Sequence, residues 1–274
     1  MHSRSTNVLR GIGETERRMI TALSAAEVPV VSADDIVSSL GISRTAANLG
    51  LARLAKKGWL QRLRRGRYSL VPLSSRSAAP AVEDPLAVAM QLFSPCYVSG
   101  WTSAQHWDLT DQIHNAVVVL SARPQRHGTL MVGRVAYRVR RIRPEAIFGT
   151  VRVWSGTVAV QMASSHRTVI DVLDSPEIGG GGRQTVDIVR AYWSSRTAEP
   201  KTLLDLAVRL GRGTVFKRLG LLAEQSGRVE HRWLEEYRGH LSKGVSLLDP
   251  ASPIQGPIVS RWRLRVNIPI EDWA

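Results

Sequence analysis

At 274 residues, 43% of them hydrophobic, the chain is long enough for two domains that each bury a core. Its longest apolar runs, such as Ala-Val-Val-Val-Leu at 116–120, fall far short of the roughly 18 residues a membrane span needs. The first residues lack the apolar segment of a secretory signal, and the one cysteine, Cys96, allows neither an intrachain disulfide nor a cysteine metal array. A cytoplasmic protein with no membrane partner is therefore expected. The net charge is +14 and unevenly spread: residues 1–76 carry 13 Lys/Arg against 5 Asp/Glu, the remainder 24 against 18. A dense positive field on a small N-terminal unit suggests a polyanionic partner.

In chain order, apolar Met19, Ile20 and Leu23 recur at helical spacing within 14–26. A short helix follows at 34–40, with Ile36, Val37 and Leu40 inward and Ser32 or Asp34 as its cap. Gly41 supplies a turn, Ser43 can cap a third helix that runs to Lys57, and Gly58 ends it. The segments 59–63 and 67–71 read as two strands around Arg64-Arg65-Gly66, where glycine permits a positive φ. Helix, short helix, turn, helix and basic hairpin is the layout of a winged helix-turn-helix. The stretch 72–80, rich in Ser, Ala and Pro, reads as a linker. Beyond it helices are expected at 85–92 and 101–107, then strands at 116–120, 134–139, 147–153 and 157–162, the last two forming a hairpin. Helices follow at 166–173, 185–193, 203–209, 215–224 and 233–241, with a closing strand at 259–266. The fold class is α+β, organised as a winged unit over 1–74, a linker over 75–81 and a larger mixed domain over 82–274.

A step of 100° per residue sorts the third helix. Ala47, Leu51 and Leu54 seat it on the core, while Thr45, Leu49 and Lys56 point the opposite way, flanked by Asn48, Ala52 and Arg53. Leu49 suits a thymine methyl, with Asn48 and Thr45 as hydrogen-bonding readers of base edges. The alternative is a rotated helix with Leu49 in the core. Ser43 and Arg44 at the helix start offer a backbone-amide phosphate contact, and Arg53, Lys56 and Lys57 add cations at its far end. Arg62, Arg64, Arg65 and Arg67 place four guanidiniums within six residues. Their mutual repulsion is relieved by phosphate oxygens, whose neutralisation releases condensed counterions. Arg4 and Arg10 on the N-terminal arm could reach a minor groove.

The second domain offers one catalytic alternative. Asp171, Asp174 and Glu177 recur every three residues near His166, as a metal-dependent, restriction-type nuclease would need. However, Leu173-Asp174-Ser175-Pro176 reads as a helix end that would scatter them. The run 179–182 lacks the Lys and Ser/Thr of a phosphate loop and reads as a flexible link. His106, His114 and His127 have no metal-ligand spacing. Trp101, Trp107, Trp154 and Trp193 read as core or interface aromatics. No metal, cofactor or catalytic residue is expected.

Several stretches carry a family resemblance: Leu54-Ala-Lys-Lys-Gly-Trp-Leu-Gln-Arg-Leu-Arg-Arg-Gly-Arg-Tyr68; Tyr97-Val-Ser-Gly-Trp-Thr-Ser-Ala-Gln-His-Trp-Asp-Leu-Thr-Asp-Gln112; Ser165-His-Arg-Thr-Val-Ile-Asp-Val-Leu-Asp-Ser-Pro-Glu-Ile-Gly-Gly180-Gly181 and Lys217-Arg-Leu-Gly-Leu-Leu-Ala223. In this order they resemble the AbiE-type antitoxins of bacterial toxin–antitoxin operons. The resemblance implies a protein that represses its own operon through the winged domain, on double-stranded operator DNA arranged as inverted repeats. It also implies that residues 82–274 counter a nucleotidyltransferase-like toxin. DNA contact then falls to Thr45, Asn48, Lys56 and the wing arginines. A ligand-sensing regulator is a further alternative.

Overall fold

The computed structural model describes residues 11–25, 30–71, 84–124, 128–132, 134–156 and 158–270, the Arg64 side chain excepted. The linker expected at 72–80, the arm with Arg4 and Arg10, and His127 lie outside the described residues. The N-terminal unit is a winged helix-turn-helix: α1 (Glu14–Ala25), α2 (Ala33–Leu40), α3 (Arg44–Lys56) and the hairpin β1 (Leu60–Arg64) and β2 (Arg67–Leu70). Its start and stop signals act as the residue chemistry requires. Asp35 accepts hydrogen bonds from the Ser32 amide and hydroxyl, both at 2.7 Å, and so ties the entry to α2. Gly41 takes the left-handed conformation, φ 66°, and donates its amide to Val37 at 2.9 Å. Val31 pairs with Tyr68 and adds a third short strand to the wing sheet. Met19, Leu23, Val31, Ile36, Ala47, Leu51, Leu54, Leu60 and Tyr68 form the core of this unit.

The larger part is built on a six-stranded mixed sheet. Its strands are β3 (Cys96–Val98), β4 (Ala116–Ser121), β5 (Gly128–Val132), β6 (Val135–Arg141), β7 (Thr150–Ser155) and β8 (Val158–Ala163), in the spatial order β5-β6-β4-β3-β8-β7. β4 runs parallel to β6 and β3 parallel to β8; the remaining pairings are antiparallel. One face is covered by α4 (Pro85–Phe93), which packs on β3, β4 and β8. The other face receives α5 (Gly100–His106) and α6 (Ser165–Asp174). Behind these lie α7 (Gly182–Ser194), α8 (Pro200–Leu210), α9 (Gly213–Ser226) and α10 (His231–Gly239). The central strand β4 is buried on both faces, which is why its sequence is a continuous aliphatic run rather than an alternation.

The α+β class and the helix positions agree with the sequence reading, and three readings change. Strands β3 and β5 were not legible from the sequence. After the short strand β9 (Ser246–Leu247), the closing strand expected at 259–266 is instead two short strands, β10 (Ile258–Val259) and β11 (Leu264–Arg265), split by a 3-10 turn at Ser260–Trp262. That turn drives Trp262, fully buried, onto α9, where a Cβ on Gly220 would lie 2.0 Å from the indole. The glycine run at 179–182 is no flexible link. Gly179 and Gly182 are buried, and a Cβ on Gly182 would lie 2.5 Å from Asp249, so the run is a close-packed turn into α7.

Candidate nucleic-acid interface

The geometry of α3 follows from its buried stripe. Ala47, Leu51 and Leu54 are completely enclosed, so Thr45, Asn48, Ala52, Arg53 and Lys56 are turned to solvent. Leu49 is 53% exposed, which removes the rotated-helix alternative. The close approach of α1 rests on Gly50, where a Cβ would sit 2.5 Å from the Met19 sulfur. Leu49 and Arg53 then border a groove between α1 and α3 that also touches Gly13, Glu16 and Met19. Ser43 caps the helix by accepting the Ala46 amide at 3.2 Å.

The cations of this unit are not equivalent. Arg62 and Arg65 are exposed on the hairpin, and Arg67 is half-buried. Gly66 holds the turn between them at φ 71°. The Arg64 backbone pairs with Arg67. Arg44 is exposed and makes an open ion pair with Asp34 at 3.3 Å. Lys57 is different, because its ammonium is 2.5 Å from the Glu16 carboxylate. That hydrogen bond, together with one from the Gly13 amide, holds the Glu16 carboxyl below the usual carboxylate range against its partial burial. Lys57 therefore clasps α1 to the end of α3. The sequence reading missed Glu16, 41 residues from Lys57 along the chain.

Residues 18–71, the described positions of this surface among them, match a family model described as a transcriptional regulator, AbiEi antitoxin. The winged unit is similar to an AbiEi-type antitoxin domain over these residues. That family is described as one of transcriptional regulators, and the match spans 54 of the 274 residues. No curated protein matches the chain. Among the described residues, no helix is long and apolar enough to cross a membrane.

The carboxylates considered for a nuclease lie outside the matched residues and have other occupations. Asp171 is buried against Arg167, Nε to Oδ1 2.9 Å, and accepts from the Ser99 hydroxyl at 2.7 Å and the Tyr97 hydroxyl at 3.1 Å. Burial pushes the Asp171 carboxyl up, opposed by the Arg167 charge. Asp174 pairs with Arg140 at 3.0 Å and Arg212 at 3.3 Å, while Glu177 is exposed on the following 3-10 turn. The helix end before Pro176 thus scatters the three acids. Among the described residues no group of three His, Cys, Asp or Glu is placed to hold a metal. His114 stacks on Trp101 and bonds Gln184 at 2.7 Å, and His106 packs edge-on to Trp107. Trp101 and Trp193 are core residues, whereas Trp154 is 66% exposed.

Proposed function

We propose that the protein is a transcriptional autorepressor and antitoxin that works in the cytoplasm, with residues 1–74 binding operator DNA and residues 82–274 countering a nucleotidyltransferase-like toxin. The observation that carries the DNA reading is the coincidence, on one AbiEi-type domain, of a solvent-facing α3 surface (Thr45, Asn48, Leu49, Arg53, Lys56) with an exposed arginine hairpin. α3 has the shape and side chains for base edges in a major groove, and the hairpin arginines for the flanking phosphates. Ser43 and Arg44 add a helix-start phosphate contact. Lys57 contributes its charge from the clasp with Glu16. Inverted half-sites would require two copies about 34–36 Å apart, or a multiple of that spacing.

The toxin assignment rests on the family, whose members are antitoxins, and the test must separate the two activities. Purified full-length protein is titrated onto the DNA upstream of its own gene and onto unrelated DNA, with a promoter-reporter assay alongside. A nucleotidyltransferase-like gene next to it is then induced with and without the protein, and growth is followed. Preferential binding, repression and growth rescue are expected. Binding that is equal on all DNA would overturn the repressor reading, and failure of rescue the antitoxin reading. Cleavage of DNA with Mg²⁺ that disappears in an Asp171→Asn variant shown to be folded by circular dichroism would install the nuclease instead.

A further inference from the structure

The wing sheet has two faces with different partners. In the β1–β2 pairing Leu60 lies opposite Leu70 and Arg62 opposite Tyr68, and Leu60 and Tyr68 face the winged core. The register then skips, so that Leu63 and Arg64 together oppose Arg67. Such a bulge bends its strand and re-aims the extra side chain. Leu63 is that extra residue, and it faces away from the winged core. Val30, one residue before the strand residue Val31, is turned the same way. On a free-standing winged unit both would meet water. Instead they are 8% and 4% exposed, in one apolar cluster with Val88, Ala89, Leu92 and Phe93 of α4 and the sheet residues Val117, Val119 and Val139.

We infer that Leu63, with Val30, is a latch through which the larger part of the chain holds the wing in position, so that the phosphate grip of the wing arginines depends on α4 and its sheet. Leu63 is a positioning residue, and the inference rests on the reading that the winged unit binds DNA. The apolar contact fixes the strand between Arg62 and Arg64, and the bulge converts that fixed point into a fixed direction for the turn. If the latch is opened, the hairpin keeps its two-strand pairing but loses its backing, and its arginines must be ordered at the moment of binding.

The experiment uses the full chain with Leu63→Asn, Leu63→Ala and Leu63→Met, random-sequence duplex DNA at several salt concentrations, and hydrogen exchange of the amides at 60–70. If two phosphates are no longer neutralised, the slope of log affinity against log salt flattens by roughly 1.8, equivalent to about 30-fold at 0.15 M salt. Leu63→Asn should show that weakening and faster exchange in the wing, with exchange in α3 unchanged, and Leu63→Met should restore both. Alanine at all four wing arginines should cost much less in the Leu63→Asn background than in the parent. Should Leu63→Asn fail to fold, Leu63→Ala carries the same comparison. Parental slope and parental wing exchange in the folded variant would overturn the latch. A parent chain that binds no duplex would sink the DNA reading, and the exchange data alone would then decide whether Leu63 holds the wing.

Discussion

Replacement of Asp171 is the perturbation whose size the structure fixes best. Arg167 and Asp171 are 1% and 2% exposed. The guanidinium spends Nε on Asp171 and Nη2 on the Tyr97 hydroxyl at 2.9 Å, and Phe148 lies 4.1 Å from its centre. Among the described residues, Asp171→Ala removes the only carboxylate bonded to that cation, and it leaves the Ser99 and Tyr97 hydroxyls without their acceptor. An uncompensated charge at such a site costs about 3–5 kcal/mol. For a unit of this size that converts to a fall of roughly 6–20 °C in unfolding midpoint, at about 2–4 °C per kcal/mol. The double variant Arg167→Met/Asp171→Leu should lose less than Asp171→Ala alone, because neither charge is then stranded. Thermal and urea unfolding followed by circular dichroism measure both. A midpoint within about 2 °C of the parent for Asp171→Ala, or a double variant worse than the sum of the singles, would refute the claim that the pair is structural.

Alanine at Arg62, Arg64, Arg65 and Arg67 should reduce DNA affinity without lowering the unfolding midpoint, and flatten the salt slope by about 0.9 for each phosphate left unneutralised; an unchanged slope would remove the wing from the interface. Asn48→Ala and Leu49→Ala should each cost about 1–3 kcal/mol on the preferred site and little on random DNA, measured by fluorescence anisotropy, and equal losses on both would mean that α3 does not read bases. The Cys96 thiol is buried and burial pushes its pKa up to about 12, so native protein should resist a thiol-reactive dye at pH 8 and react promptly once unfolded. Gly220→Ala should disturb the Trp262 seat and destabilise the chain by about 1–3 kcal/mol, what overpacking a buried site costs; a parental midpoint would mean that the seat can yield.

The winged unit was readable because its boundaries are written in local chemistry: Ser32 and Ser43 as caps, Gly41 and Gly66 as turns, and an apolar stripe at helical spacing that also fixed which way Leu49 points. Features set by distant parts of the chain were not readable. The three residues of β3 carry no periodicity of their own and are strand only because β4 and β8 flank them. The strand expected at 259–266 breaks because Trp262 finds the glycine surface of α9, and Arg263 then adopts φ 49°. On the candidate interface, the pairing of Lys57 with Glu16 and the burial of Leu63 both depend on partners outside the local segment. Leu63 did leave a trace, since it is three residues after Leu60 and cannot share its face in a strand.

The seat of Trp262 on α9 also has a meaning in time. Its indole donates to Glu224 and fills the space above Gly220, so the helical layer stays open until residue 262 has been made and has reached it. The winged unit, with the α4 and sheet residues that back it, is complete by residue 162, 100 residues earlier (262 − 162). At about 5–20 residues per second, that interval is roughly 5–20 s on the ribosome. During it a nascent chain carries a backed wing and an unsealed helical layer. The wing and its backing thus come of age before the helical layer, and a ribosome that stalls between them leaves a half-made molecule whose front part is already packed.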